Sequence, residues 1–469
     1  MKTPIVDFVR RYAASGTSRL HMPGHKGCGP LGCEQWDITE IQGADELYEA
    51  EGVIAESEAN ATALFGTVHT YYSTEGSSQC IRAMLALALQ SAKPTGQRPV
   101  LCAARNAHKA LLYAAALLDF DIQWLWPAAD AAGALCSCPV SSAALEAALT
   151  AGERAGQAPF AVYVTSPDYL GGVQDIAGLA KVCTAHGLPL LVDNAHGAYL
   201  RFLPEDRHPV ALGAAICCDS AHKTLPVLTG GAYLHLGQNA PVQDEATVRN
   251  TLNLFGSTSP SYLILQSLDA ANAALAGAWP RQLAECCAAL ETLRQALNAF
   301  APGFARAGNA PDREPLKLTL DAAAVGYTGG ELAQTLRSRA IECEYADPRY
   351  VVLMPTPANR PEDFARLREA LLSLPKRPPL AVQSDAALFR ALARQQAQTP
   401  PGCTIREAIF APQELIPARD AVGRICAMPT VSCPPAIPIT VSGEVVTPAA
   451  AQLMERYGIQ KLSVRKALK

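Results

Sequence analysis

Strand and helix patterns alternate from about residue 54 to residue 236, and this alternation limits the possible fold more than any other feature of the sequence. Short apolar runs such as FAVYVTSP and LPLLVDNAHG are typical of buried strands, and stretches with helical spacing separate them. In EGSSQCIRAMLALALQSA, the spacing places five apolar residues on one helical face: Ile81, Met84, Leu85, Ala88 and Leu89. Strands that alternate with helices pair in parallel through right-handed crossovers, and the helices cover both faces of the sheet. The sequence therefore predicts an α/β fold with a mainly parallel sheet.

The rest of the chain is predicted to form an arm and two smaller domains. Residues 1–50 include a segment rich in glycine and proline without a clear period, which indicates an N-terminal arm ahead of a large domain at 51–275. A strand, a helix and a second strand are predicted in a small α/β domain at 276–375. The proline-rich segment SLPKRPPL then leads into a C-terminal domain at 376–469.

The composition excludes several classes of protein. The chain has 469 residues, of which 49% are hydrophobic and 17% are charged, and its net charge is -4. Such a chain has a large core but lacks the basic surface that binds nucleic acids or anionic membranes. No apolar run reaches the roughly 20 residues that cross a bilayer, and the first residues show no secretory signal pattern. Scattered cysteines, 15 in all, fit buried thiols in a reducing compartment, so we expect a cytoplasmic protein.

Three predicted strands end in polar residues that a buried sheet does not otherwise need. One ends at Thr165, the next runs into Asp193 and its neighbours, and the third ends at Ser220–Lys223. Parallel sheets bind ligands at the carboxyl ends of their strands, so these residues are predicted to share one rim. A lysine facing Asp193 fits a buried ion pair, which contributes little net stability. It also fits a Schiff-base lysine with the aspartate on a pyridinium nitrogen.

Two further features favour the cofactor interpretation. Gly76 is followed by Ser77 and Ser78 at the start of a helix, where free backbone N–H groups bind phosphate. His108 follows a predicted strand, where its ring is able to stack on a planar cofactor. By themselves, an N-cap serine and a structural histidine would explain these residues. Together with the aspartate and the lysine, they indicate a pyridoxal phosphate (PLP) site.

Nine segments, in order, resemble the PLP-dependent ornithine/lysine/arginine decarboxylases of the prokaryotic type, which have the aminotransferase-like fold (PLP fold type I). The segments are HMPGHKG (21–27), DITEIQGADEL (37–47), GSS (76–78), RNAHKAL (105–111), TSPDYLGGVQDI (165–176), VDNAHGAY (192–199), DSAHKTLPVLTGGAYLH (219–235), GSTSPSYLILQSLD (256–269) and CPPAIPITVSGE (433–444). The resemblance implies PLP as the cofactor and a seven-stranded, mainly parallel sheet in the large domain. Longer family members carry an N-terminal receiver-like domain, and this chain resembles a short member without it.

The resemblance also implies roles for individual residues around the cofactor ring. Lys223 would carry PLP as an internal aldimine, Asp193 would pair with the pyridine nitrogen, and His108 would stack on the ring. Ala195 and His196 would lie against the cofactor.

The phosphate and the neighbouring subunit account for the other implied contacts. The phosphate would be held by Ser77, Ser78, Ser220 and His222. The segment that contains Ser257 and Thr258 would reach the neighbouring subunit's site, which makes the working unit at least a homodimer.

A decarboxylase of a basic amino acid needs a proton donor and an acidic binding site. Lys223, freed by the substrate, is the first candidate to return a proton to Cα, and His222 is the second. The substrate would be arginine, lysine or ornithine, and its distal cation needs a carboxylate. The candidate substrate contacts are Thr165, Glu344, Asp347 and Glu444.

Three alternatives remain open at this stage. An aminotransferase or another lyase of the same fold would use an arginine for the α-carboxylate, and Arg349 is the main candidate. A catalytically weakened relative would explain why four positions of this chain depart from the residues usual in the family. These positions are Glu75, Cys433, Ala436 and Ser442. A metal site at His21, His25, Cys28 and Cys33 fits no standard zinc spacing, so no metal is expected.

Overall fold

The computed structural model describes residues 1–93, 96–128, 134–308, 310–375, 377–381, 385–429 and 436–467. The strands are β1 (His69–Ser73), β2 (Val100–Ala104), β3 (Asp121–Leu125), β4 (Ala161–Thr165), β5 (Leu190–Asp193), β6 (Ile216–Asp219), β7 (Ala232–Leu236), β8 (Leu318–Asp321), β9 (Tyr345–Ala346), β10 (Tyr350–Leu353), β11 (Gln413–Pro417), β12 (Cys426–Met428) and β13 (Lys461–Arg465). The largest sheet has seven strands in the order β1-β7-β6-β5-β4-β2-β3. This confirms the predicted α/β class and the mainly parallel seven-stranded sheet.

Helices follow most strands of the large sheet, as the alternating pattern predicts. They are α1 (Pro4–Ala14), α2 (Val53–Phe65), α3 (Ser77–Ser91), α4 (Lys109–Leu118), α5 (Ser142–Arg154), α6 (Ile176–Ala185), α7 (Ala221–Thr224), α8 (Glu245–Leu254), α9 (Tyr262–Leu275), α10 (Trp279–Phe300), α11 (Gly329–Arg337), α12 (Pro361–Leu372), α13 (Ala386–Gln398), α14 (Ile405–Phe410) and α15 (Pro448–Arg456). Of the ten residues of α3 from Gln79 to Ala88, all except Arg82 are buried, so this helix packs on several sides rather than on one face. Among the described residues, no helix combines the length and the apolar character that a bilayer span requires.

The chain divides into two compact units. The first contains residues 1–93, 160–162 and 176–284. In it β5 and β6 are parallel, whereas β7 is antiparallel to both β6 and β1. Helix α1, which buries Ile5 and Val9, was not predicted, because the predicted arm includes a segment rich in glycine and proline.

The second unit contains residues 94–159, 163–175 and 285–469. Strands β2 and β3 are parallel, and two antiparallel sheets have the orders β8-β10-β9 and β11-β13-β12. The last of these sheets shares an apolar cluster with α13 and α15, in which Leu392, Leu453 and Leu462 are almost fully buried. The domain boundaries predicted after residues 50, 275 and 375 stay predictions.

Candidate active site

The neighbouring parallel strands β5 and β6 end together in the first unit. Strand β5 ends at Asp193 and β6 ends at Asp219, one residue earlier than the predicted Ser220–Lys223 terminus. The chain then forms the short helix α7, in which the Lys223 N–H donates to the Ser220 carbonyl at 3.0 Å. The lysine therefore stands on a helical turn just beyond the strand and not on the strand itself.

The turn brings Lys223 to a residue that follows the next strand. Its Nζ lies 3.0 Å from Nε2 of His196, whose side chain is buried. The two residues follow β6 and β5, so the adjacent parallel strands position the pair. The structure thus brings together two residues that the sequence places 27 positions apart.

Asp193 is buried at the end of β5. Its Oδ1 accepts a hydrogen bond from the Ala195 N–H at 3.1 Å and lies 3.8 Å from the Cys218 sulfur. A buried carboxylate at the carboxyl end of a parallel strand has the chemistry needed to hold a protonated ring nitrogen. The residue fits the predicted partner of a pyridinium group.

The start of α3 fits a phosphate group. Gly76 has φ 69° and ψ 179°, a conformation that favours glycine, and no side chain caps the helix among the described residues. Backbone N–H groups at such a helix start bind anions. The Ser220 hydroxyl donates to the Ser77 hydroxyl at 2.8 Å, so two predicted phosphate contacts meet, and Ser78 follows in the first turn. These residues fit PLP.

His222 has its own hydrogen-bond partner. Its Nδ1 lies 3.0 Å from the carbonyl oxygen of Gly231, so Nδ1 carries the proton and donates it. Burial, with a smaller contribution from the neighbouring Lys223, lowers the pKa of His222. The ring is therefore neutral near pH 7, with Nε2 as an acceptor.

His108 lies in the second unit as the N-cap of α4. Its Nδ1 accepts a hydrogen bond from the Ala110 N–H at 3.2 Å, which satisfies a backbone donor of the first turn. The contact gives the ring a fixed orientation. Its predicted stacking on the cofactor stays a prediction.

Glu444, a predicted substrate contact, has a structural partner. Its Oε2 lies 3.3 Å from a guanidinium nitrogen of Arg105 and accepts the Val441 N–H at 2.8 Å. The same guanidinium donates to the carbonyls of Pro438 and Ile439, at 3.1 and 2.8 Å. Burial raises the pKa of Glu444 despite the arginine. Sequence reasoning missed Arg105, although it stands in the quoted motif RNAHKAL.

The other candidate substrate contacts lie in the second unit. Glu344 is exposed and accepts a hydrogen bond from the Tyr169 hydroxyl. Asp347 accepts the N–H groups of Arg349 and Tyr350 at 2.8 and 2.6 Å, which braces the turn between β9 and β10. Thr165 ends β4, and its hydroxyl is buried without a hydrogen-bond partner among the described residues. Their substrate roles stay predictions.

The positions that depart from the family pattern differ in environment. Glu75 is exposed, and Ser442 has a buried hydroxyl with no hydrogen-bond partner in the described part of the chain. Ala436 has φ 56°, which lies in the left-handed region that favours glycine. Cys433 lies outside the described residues. Ser257 and Thr258 are exposed, and their predicted role at a subunit interface stays a prediction.

Two alternative sites find no support in these contacts. The Arg349 guanidinium is bound to Asp321, with nitrogen–oxygen distances of 2.6 and 3.0 Å, instead of being available for a substrate carboxylate. His25 pairs with Asp37 at 3.1 Å, and within the described ranges the one group of three metal-ligating side chains is elsewhere, at His208, Cys217 and Asp219.

Known proteins similar to this chain match it along most of its length. The family model described as "Orn/Lys/Arg decarboxylase, major domain" matches residues 3–309. The "Uncharacterized protein YaaO" of Bacillus subtilis (strain 168) is 29% identical over 100% of this chain and 97% of its own length. The arginine decarboxylase of the same organism is 28% identical over 95% of this chain and 91% of its own length.

Solved structures show the same fold. The Escherichia coli constitutive lysine decarboxylase aligns with a TM-score of 0.75 at 18% identity, covering 100% of this chain and 82% of that one. The Francisella novicida lysine decarboxylase aligns with a TM-score of 0.76 at 15% identity, covering 99% and 81%. At these identities the likeness concerns the fold, which is that of the PLP fold type I enzymes.

Proposed function

Since the chain belongs to the Orn/Lys/Arg decarboxylase family, we propose that it is a PLP-dependent carboxy-lyase that removes the α-carboxylate of a basic amino acid. The observation that carries the proposal is the 3.0 Å contact between Lys223 and His196 at the ends of two parallel strands. Asp193 ends the same β5 strand, and Ser77 and Ser220 meet at the start of α3.

The lysine needs a partner that takes its proton, because only a neutral amine is a nucleophile. Nε2 of His196 stands at hydrogen-bond distance from Nζ and is positioned to accept that proton. The buried His196 ring also limits the water around the amine, and a lower local dielectric favours the neutral form. We assign His196 the role of holding this proton.

The other residues bind and orient the cofactor. When bound, PLP supplies an electron sink for the charge that forms at Cα as CO2 leaves. Asp193 would hold the ring nitrogen in its protonated form, and the N–H of Ala195 fixes the carboxylate for that task. Ser77, Ser78 and Ser220 would bind the phosphate together with the first N–H groups of α3.

Lys223 is the better candidate to return a proton to Cα. The Nδ1 proton of His222 is held by the Gly231 carbonyl, and its Nε2 is an acceptor at neutral pH. His222 is therefore poorly suited to donate, whereas Nζ of Lys223, 3.0 Å from Nε2 of His196, would be able to hold a proton and return it to Cα.

Arginine, lysine and ornithine are the proposed substrates, with Thr165, Glu344, Asp347 and Glu444 as the proposed contacts. Relatives named arginine decarboxylase support arginine as the first substrate to test. A cytoplasmic homodimer in which the exposed segment at Ser257 and Thr258 completes the partner's site is part of the same proposal.

A substrate panel tests the function directly. The protein is saturated with PLP and incubated separately with arginine, lysine, ornithine and, as a non-basic control, leucine; CO2 and the amine are then quantified. One amine per CO2 from a basic amino acid, with none from leucine, is expected. A keto acid without CO2 would instead indicate an aminotransferase, and PLP binding without any product would indicate a weakened relative.

A further inference from the structure

A buried chain of hydrogen bonds crosses the edge half of the large sheet, and the proposed reaction does not use it. The Thr70 hydroxyl of β1 lies 2.9 Å from Nδ1 of His235 on β7, and Nε2 of His235 lies 3.1 Å from Oδ2 of Asp219 on β6. The other oxygen of Asp219 accepts from the Asn194 amide at 2.6 Å, just beyond β5. The chain therefore links four neighbouring strands in the order β1-β7-β6-β5.

The direction of each hydrogen bond follows from the chemistry of the groups. Asp219 is fully buried and is also approached by Nε2 of His208 at 3.1 Å. The nearby histidines hold the pKa of Asp219 well below its usual range, although burial opposes them. An ionised carboxylate only accepts hydrogen bonds, so both histidines present Nε2–H to it. Burial lowers the pKa of His235, whose Nδ1 then accepts from Thr70.

The cluster also has the composition of a metal site, but its hydrogen bonds favour the metal-free form. His208, Cys217 and Asp219 place their potential ligand atoms within 4.8 Å of one another. However, the Val210 N–H donates to Nδ1 of His208 at 3.4 Å, which places the ring proton on Nε2. A protonated Nε2 cannot bind a metal, so the ring is a donor to Asp219.

Asp219 stands between the two loops that carry the proposed reacting pair. Its main chain continues into Ser220 and α7, which hold Lys223. Its side chain holds Asn194, whose own N–H donates to the Cys218 carbonyl at 2.9 Å and whose carbonyl accepts the Gly197 N–H at 2.8 Å. The turn fixed in this way carries His196 to Lys223.

We propose that Asp219 is a positioning residue that clamps the Asn194–Gly197 turn to β6 and so sets the geometry between His196 and Lys223. The inference rests on the proposed function, because Asp219 would affect activity through Lys223, the lysine proposed to bind the cofactor. The side chain of Asp219 is hydrogen-bonded to Asn194, His208 and His235, so it acts on the reacting pair through Asn194. A shift of about 1 Å in a reacting group changes rates by about a hundredfold, so a clamp of this kind has a measurable effect.

The test compares PLP affinity and unfolding in Asp219→Asn, Asn194→Ala and the double variant. PLP affinity is measured by titrating the folded apoprotein and following the absorbance of the lysine-bound cofactor. Asp219→Asn places an amide against two N–H donors and is expected to weaken PLP binding about tenfold or more and to shift the absorbance maximum. Because both residues act in one clamp, the double variant is expected to bind no more weakly than the weaker single variant.

Asp269→Asn is the matched control, because it removes another buried carboxylate of the same unit, which accepts hydrogen bonds from Val6 and Ser57, two residues without a role in the site. It is expected to keep wild-type PLP affinity. Wild-type affinity and spectrum in Asp219→Asn, additive effects in the double variant, or stoichiometric metal in the purified protein would each overturn the inference. If Asp219→Asn does not fold, Asn194→Ala alone decides. A wild type that binds no PLP would instead overturn the proposed function.

Discussion

The ends of β5 and β6 and the segment 436–447 each bury a carboxylate, and the two carboxylates behave in opposite ways. Asp219 accepts hydrogen bonds from two imidazoles and one amide, and its pKa lies well below the usual range. Glu444 faces the charged guanidinium of Arg105 and one backbone N–H, yet burial raises its pKa. Burial raises the pKa of both carboxylates; at Asp219 the charges and hydrogen bonds of two histidines outweigh it, whereas at Glu444 one guanidinium at 3.3 Å and one N–H do not.

The two regions also differ in what their buried groups support. In the first, the network leads to Lys223 and His196, so its substitutions are expected to change chemistry. In the second, Arg105 joins the backbone of residues 438 and 439 to Glu444, so its substitutions are expected to change stability.

Lys223→Ala is expected to have the largest effect of all, and this effect is on turnover and not on stability. Removing the amine eliminates the covalent attachment point, so turnover of a basic amino acid is expected to fall on the order of 10⁴-fold or more. The free energy of unfolding of the apoprotein, measured with urea, is expected to change by less than about 1 kcal/mol, because Lys223 is only partly buried. Turnover within tenfold of wild type would contradict the assignment.

Arg105→Ala is expected to have the largest effect on stability. It leaves Glu444 buried without its positive partner and removes the donors to two carbonyls, which costs about 3–5 kcal/mol in the free energy of unfolding. Glu444→Gln in the Arg105→Ala background removes the uncompensated charge and is expected to recover part of that loss. Wild-type stability with a raised KM for basic amino acids would instead favour a substrate role for this pair.

Asp269 extends the comparison to a carboxylate with few donors and no cation. It accepts from the Val6 N–H and the Ser57 hydroxyl, and burial raises its pKa to about 6. Because the folded pKa exceeds the unfolded value of about 4, its contribution is fully present below pH 4 and is lost as the pH rises through 6. The loss amounts to roughly 2 kcal/mol, and Asp269→Asn is expected to remove it from urea titrations recorded between pH 4 and 7. An unchanged pH slope would contradict this.

The sequence was sufficient for the sheet and for the residues at its rim, because both follow from short-range patterns. The alternation of apolar runs and helical spacing predicted the fold class, and the polar residues after β5 and β6 predicted that the two strand ends share one rim. At this rim Ser77 contacts Ser220, two predicted phosphate contacts, and Lys223 contacts His196, a pairing that the sequence did not specify.

Long-range pairing between buried polar groups was out of reach. Asp219 stands inside the quoted motif DSAHKTLPVLTGGAYLH, but its partners His208 and His235 are 11 and 16 residues away, and no periodicity marks them. Arg105 and Glu444 are separated by 339 positions, so no sequence pattern indicates that this candidate substrate contact has a buried arginine partner. A charged residue in a buried segment needs a partner, but the local sequence does not indicate where in the chain that partner lies.

Ala436 provides the smallest and sharpest test of the second region. Its φ of 56° places a residue with a Cβ in the left-handed backbone region. Its carbonyl accepts a hydrogen bond from the Lys109 N–H at 3.0 Å, which holds the backbone in this conformation. Ala436→Gly relieves a strain of about 1–2 kcal/mol but increases the entropy of the unfolded chain, so a net stabilisation of about 0.5–1 kcal/mol is expected in urea unfolding. Ala340, with φ 58°, is expected to respond in the same way, whereas the helical Ala370→Gly is expected to destabilise by about 1 kcal/mol. Because the strained alanine belongs to the supporting region, turnover at saturating substrate is expected to stay within twofold of wild type, and a larger change would show that the segment reaches the chemistry after all.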